Sequence, residues 1–192
     1  MRGVFVTLIV LALSGGTSMA ASVSLQISGP GAVDQTTIKA GQPVSVDIYF
    51  TNDDVRHGIT VGFEITSPDL TEVVHPADSG QGLNKRGDVK GYNGWEGNEV
   101  WDLFGIFVVE NDWNGHLPDT IGFGAVCNAK TYGPHELEKK LSFGIVVPES
   151  GTLVIDSSYF PPSGKWLYSS RPGTVPSHQP QWGGPYTYKV IE

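Results

Sequence analysis

One cysteine in 192 residues excludes an intrachain disulfide, so the chain that carries Cys127 is held by its apolar core, with metal as the only further support. Basic residues are scarce too: 12 Lys and Arg stand against 20 Asp and Glu, a formal net charge of -8. Binders of a phosphate backbone need clustered cations, so this balance sets nucleic acid aside as a partner. The one basic cluster, Lys85, Arg86 and Lys90, encloses Asp88 and reads as a solvated loop. No apolar run of membrane-spanning length follows residue 13, and the chain is expected not to span a membrane.

Catalytic signatures are missing as well. There is no Gly-x-Ser-x-Gly elbow, no His-Glu-x-x-His helix and no phosphate-cradling glycine loop. The segment HELEK at 135–139 has Lys139 where a zinc helix needs its second His. His57, His75, His116, His135 and His178 are dispersed among turn residues. Acid pairs such as Glu96 with Glu99, or Asp102 with Glu110, are of the type used in glycoside hydrolysis, but sequence spacing does not bring two carboxylates across a cleft. They read as surface charge.

What is present begins with a secretory signal. Arg2 precedes an apolar stretch from Val4 to Leu13, and Ser18-Met19-Ala20 puts small side chains at the two positions a signal peptidase reads. The apolar stretch is roughly half of what a spanning helix needs, so cleavage after Ala20 is expected over retention as an anchor. Residues 21–192 are then the mature chain, read as a single domain. Loss of Arg2, the one charge in residues 1–20, carries the formal -8 to -9. The expected location is outside the cytoplasm, periplasmic or extracellular.

The mature chain has the periodicity of strands. PVSVDIYFT places Val44, Val46, Ile48 and Phe50 on one face and Ser45, Asp47, Tyr49 and Thr51 on the other. ITVGFEITS repeats this with Ile59, Val61, Phe63 and Ile65 against Thr60, Gly62, Glu64 and Thr66. SVSLQIS near the mature start, TIGFGAVC, LSFGIVV, TLVIDS and PYTYKVI add further strands. Cys127 shares parity with Ile121, Phe123 and Ala125, which predicts a small buried hydrophobe and not a reactive thiol. Only 97–104 and 133–141 tolerate a helical turn. With 25 Gly and 13 Pro breaking the chain into short elements, the expected fold is all-β, an antiparallel two-sheet sandwich of immunoglobulin-like or cohesin-like type. Two long loops interrupt it. The first, at about 76–98, is either an excursion over the sandwich or a pair of short edge strands, and the second covers about 169–185.

One stretch invites a functional reading. ENDWNGHLPDTIGFG, residues 110–124, sets Glu110, Asp112, Asn114 and Asp119 around Trp113 and Gly115. An EF-hand-type calcium loop fails here, because counting from Asp112 the fifth position is His116 and the sixth is Leu117. Asp112, Asn114 and Asp119 remain a weak candidate for an irregular calcium site, and no other cofactor is implied. Asn-Gly marks a tight turn, so the stretch reads first as a hairpin connection. A tryptophan at such a turn either stands exposed, as a sugar platform requires, or packs under the loop or in a protein interface. Trp95 and Trp182 likewise adjoin Asn-Gly or Gly-Gly steps, and Trp95, Trp113, Trp182 and Asn114 are the candidate ligand-binding residues. Trp101 and Trp166 lie in patterned runs and read as core.

Residues 38–70, IKAGQPVSVDIYFTNDDVRHGITVGFEITSPDL, resemble the opening of cohesin-like and related adhesin-type secreted β-sandwich domains. They share a Gly turn, an alternating strand, an Asn-Asp turn and a second alternating strand ending at Ser-Pro-Asp. DTIGFG, DSSYFPPSGKW and WGGPYTY are similar to motifs of uncharacterised secreted bacterial proteins. The resemblance implies a sandwich; no dockerin-like tail follows and no partner-contact residue of cohesins maps onto this chain, so cohesin function is not carried over. The expectation is a non-catalytic binding, adhesion or structural module of a bacterial envelope or extracellular assembly, with a protein or polysaccharide partner. The alternative is a carbohydrate-binding module acting with polysaccharide-degrading enzymes, and glycosidase activity comes third.

Overall fold

The structure, a computed structural model, describes residues 20–76, 92–95, 106–126, 135–159, 166–170 and 177–192. For 92–95, 106–111, 125–126 and 135–141 it describes the backbone alone. The described residues contain strands and no helix, in two sheets facing one another as a sandwich. The first sheet has the order β12-β1-β4-β9-β6, formed by Gln181–Trp182, Ser22–Ser28, Pro43–Asn52, His135–Val146 and Tyr92–Trp95. The second runs β2-β3-β13-β10-β5-β8-β7, formed by Ala32–Asp34, Thr37–Lys39, Tyr186–Ile191, Gly151–Ser157, Gly58–Thr66, Asp119–Val126 and Ile106–Asp112. Its eighth strand, β11 (Leu167–Ser169), pairs with the start of β5.

Alternation explains the layers. Val44, Val46, Ile48 and Phe50 of β4 are buried, and so are Ile59, Val61, Phe63 and Ile65 of β5. Because successive side chains on a strand point to opposite faces, each strand contributes one apolar row to the space between the sheets. The rows meet through aromatic rings. Phe63 of the second sheet lies 6.3 Å from Phe143 of the first, and Phe123 stacks on Phe143 at 6.2 Å. Full burial of each such side chain is worth about 1.5–3 kcal/mol, the term that replaces the missing disulfide.

The strands read from alternation are present, and one local reading changes. Residues 135–141 are strand and not a helical turn: β9 pairs with β4 from Asn52 opposite His135 to Pro43 opposite Val146. A long β4 offers one edge to β1 and the other to this segment, and the ladder overrides the local helix tendency of Glu-Leu-Glu-Lys-Lys. The sandwich is also not purely antiparallel, because β1 pairs in parallel with β12, and β13 with β3. Both long loops contain ordered pairing. Tyr92–Trp95 is an edge strand on β9, and His178 bridges to Tyr168 before β12 joins β1. Cys127 and residues 97–104, Trp101 among them, lie outside the described residues.

Candidate functional site

The loop at 113–118 joins β7 to β8 as a hairpin connection. Gly115 takes φ +89°, the left-handed region that glycine enters without steric cost, and a Cβ there would stand 2.6 Å from the Val73 carbonyl oxygen. The side chain of Asn114 closes a small turn: its Oδ1 accepts from the His116 N–H at 2.8 Å and its Nδ2 donates to Asp112 Oδ1 at 2.5 Å. Asp119, the first residue of β8, is wholly buried at 0% exposure and organises the loop. Its Oδ1 accepts the Asn114 N–H at 3.1 Å, and its Oδ2 accepts the Gly115 N–H at 3.1 Å and contacts His75 Nε2 at 2.6 Å.

His75 arrives on a strap, residues 71–75, that crosses between the two sheets. On one side the strap bonds the hairpin, Val73 N–H to the Gly115 carbonyl at 2.8 Å and Leu117 N–H to the Thr71 carbonyl at 2.9 Å. On the other it bonds β9, where Val74 and Val146 exchange N–H to carbonyl bonds at 2.8 Å each. Trp113 is trapped beneath, stacked on the His75 ring at 3.7 Å and edge-on to Phe143 at 5.4 Å.

Of the two readings of Trp113, an exposed platform or a packed ring, the structure has the second: it is 5% exposed and part of the core. Polar neighbours in sequence suggested a loop apex, but the strap covers the ring. The Asp119–His75 pairing, 44 residues apart in the chain, has no local signal in the sequence. It is a structural pair and not an open catalytic dyad. One ring nitrogen of His75 is taken by Asp119, and the other, Nδ1, is buried without a hydrogen-bond partner. Of the candidate calcium ligands, Asp119 accepts from three donors, and Asn114 donates to Asp112. Among the described residues no group of three or more His, Cys, Asp or Glu is placed to hold a metal.

Trp182, the second candidate, is half-buried in an aromatic group, 5.8 Å from Phe63, 5.1 Å from Trp166 and 5.2 Å from Tyr186. Its indole N–H donates to Asp156 Oδ1 at 2.7 Å. Gly184 lies against the ring so closely that a Cβ would fall 2.5 Å from Cζ2. Trp166 is core, as read, and its N–H is shared between the carbonyls of Gly62 at 2.8 Å and Ser158 at 2.9 Å. For Trp95 the backbone pairs with Leu141 in the β6–β9 ladder, and its side chain lies outside the described residues.

The outer face of the second sheet carries no residue that the sequence singled out for binding. Two rows cross it in register. Thr187, Val154 and Thr66 form one, and Asp156, Glu64 and Thr120 the other. Beside them Gly62 stands opposite Gly122, a stripe without side chains that is itself buried. The chain leaving β10 passes over this stripe, with the carbonyls of Ser158 and Tyr159 each 2.9 Å from where a Gly62 Cβ would be. Tyr159 itself is 74% exposed. Its signal in the sequence was the Tyr-Phe pair of DSSYF before a Pro-Pro step, read there only as part of a resemblance.

No protein-family model matches the sequence, and no curated protein matches it. Among solved structures the chain is similar to a cohesin module from a Clostridium perfringens family 33 glycoside hydrolase, at 10% identity and TM-score 0.49, covering 89% of this chain and 96% of that one. It is similar to a type II cohesin–X–dockerin complex from Acetivibrio cellulolyticus, at 13% identity and TM-score 0.47, covering 89% and 99%. It is also similar to an uncharacterised Nocardia farcinica protein with an immunoglobulin-like fold, at 11% identity and TM-score 0.34, covering 88% and 99%. Cohesin modules are the class that residues 38–70 resemble in sequence.

Proposed function

We propose that this chain is an exported, non-catalytic binding module whose partner is a protein outside the cytoplasm, received on the outer face of the second sheet. The observation that carries the reading is Tyr159, 74% exposed on the segment that covers Gly62, beside the half-buried row of Val154 and Thr66. A large aromatic held over a rigid sheet is the kind of anchor that protein interfaces favour, because little conformational freedom is lost on binding. The polysaccharide alternative depends on flat aromatic platforms, and it is weakened by the burial of Trp113 and the flanking of Trp182 by its own chain. Export is supported by the arrangement of residues 1–20, and absence from the cytoplasm follows from it.

The test is retention on the immobilised mature chain. The extracellular protein fraction of the source organism should yield a partner held by the wild type and lost with both Tyr159→Ala and Val154→Arg, while circular dichroism of the variants stays unchanged. Retention of the chain on insoluble polysaccharide, abolished by Trp95→Ala and indifferent to Tyr159→Ala, would replace the protein reading with the carbohydrate one.

A further inference from the structure

The two edges of β1 are closed by different means. Toward β4 the strand is paired along its whole length, from Ser22 opposite Thr51 to Ser28 opposite Ser45. On the other edge β12 covers only the start: the Ala21 carbonyl accepts the Gln181 N–H at 2.8 Å and the Val23 carbonyl accepts the Gly183 N–H at 3.0 Å. At the far end of this edge stands a side chain. Gln35 Oε1 accepts the Ile27 N–H at 3.0 Å and Gln35 Nε2 donates to the Ile27 carbonyl at 2.9 Å, the same pair of bonds that a residue on a neighbouring strand would exchange. Leu25, between them, presents its N–H and carbonyl to the same edge, and among the described residues nothing bonds them. Gln35 is held in the turn from β2 to β3, where Asp34 Oδ1 accepts the Thr36 N–H at 2.7 Å and its hydroxyl at 2.8 Å, and β3 is paired to β13. The closing side chain is therefore mounted on the second sheet and reaches across to the first.

An open strand edge is a template for another strand. Here the stretch outside β12 runs from Ser24 to Ser28, after which Gly29 turns the chain at φ +94°. Its centre is Gln26. Two such stretches set antiparallel about a two-fold axis at Gln26 place Leu25 of each copy opposite Ile27 of the other, and every main-chain bond of those two pairs uses an Ile27 group. Gln35 holds both Ile27 groups, so one side chain blocks the whole ladder. We propose that Ser24–Ser28 is a pairing edge for a second copy of this chain and that Gln35 keeps it shut. A second copy is the occupant that fits, because its own stretch ends at Ser28 opposite Ser24, one residue short of the place where Gly183 bonds Val23. A longer extended segment would run into Gly183.

Sedimentation equilibrium tests this on the mature chain, which contains every described strand. The wild type should be monomeric, and Gln35→Ala should form a dimer with a dissociation constant at least about tenfold below any self-association of the wild type. Gln26 is exposed, and adding Gln26→Lys would set two lysines against each other at the axis while leaving the ladder to β4 in place, so the double variant should return to the monomer. Amide exchange reports the contact directly: the Leu25 N–H should exchange readily in the wild type and gain protection in the Gln35→Ala dimer, with circular dichroism unchanged throughout. A Gln35→Ala chain that associates no more tightly than the wild type would overturn the proposal. So would association that survives Gln26→Lys or leaves Leu25 unprotected, since it would run through another surface. If the alanine variant does not fold, protection of Leu25 in the wild type at low concentration would overturn it equally, because the edge would then not be open.

Discussion

The His75 ring lies on the Trp113 indole with centroids 3.7 Å apart and planes inclined by 22°, while its Nε2 meets Asp119 Oδ2 at 2.6 Å. One histidine therefore joins an apolar contact to a polar one at the place where the strap ties the hairpin to β9. The loop whose composition suggested a ligand site is, in its described part, an internal fastening.

Asp119 is the polar centre of that fastening. Asp119→Ala leaves two loop N–H groups and His75 without their acceptor in a buried site, and unfolding free energy should fall by about 3 kcal/mol or more. Asp119→Asn retains one acceptor oxygen and should cost less. Urea denaturation of both variants measures the difference, and a loss under about 1 kcal/mol for the alanine variant would show that the loop is not organised by this carboxylate.

Gly115 gives an independent check on the same contact. Gly115→Ala places a Cβ against the Val73 carbonyl at a left-handed φ, and it should cost at least about 2 kcal/mol. Amide exchange should report which bonds suffer, with Val73 and Leu117 losing protection before Val74.

Trp113→Ala should act as a core truncation. The expected loss is about 3–5 kcal/mol, with no accompanying change in affinity for any ligand once folding is restored by a stabilising condition. An undiminished melting temperature, together with lost retention on polysaccharide, would reinstate Trp113 as a binding residue.

Tyr188 controls an alkaline limit. Burial first, and the neighbouring Tyr186 second, push its phenol well above the ordinary value of about 10. The unfolded chain gives up this proton first, so above that ordinary value the folded state binds more protons and stability falls as pH rises. Below it the contribution is complete and flat. The hydroxyl is buried with no hydrogen-bond partner, so Tyr188→Phe should leave neutral-pH stability unchanged or raise it by about 1 kcal/mol, and should remove this part of the alkaline loss. Denaturation curves for both proteins at about pH 8 and about pH 11 decide the matter, and a Phe variant that loses stability at the lower pH would mean the hydroxyl is bonded after all.

The legible and illegible parts of this chain divide by the range of the interactions involved. β4 and β5 were readable because one face of each is buried, and burial writes a period of two into the sequence. β2, β3, β11 and β12 have two or three residues each, too few to carry a period, and they exist because a neighbouring strand has a free edge. The start of β9 was misread because its charges fit an amphipathic helix and its partner lies more than eighty residues away in β4. The position of Trp113 was open between exposed and packed for a related reason. Its burial depends on a strap about forty residues upstream, whereas its sequence neighbours are all turn formers.

The edge of β5 that faces β10 is occupied in two instalments, Phe63 to Thr66 by β10 and Gly58 to Thr60 by β11, with Trp166 bridging the gap through its shared N–H. Such a seam separates the length of the intervening excursion from the register of the sheet. The Trp166 indole holds the carbonyl of Gly62 in β5 and that of Ser158 after β10, so a change in the length of chain beyond Ser158 reaches the register of β5 only through that one ring.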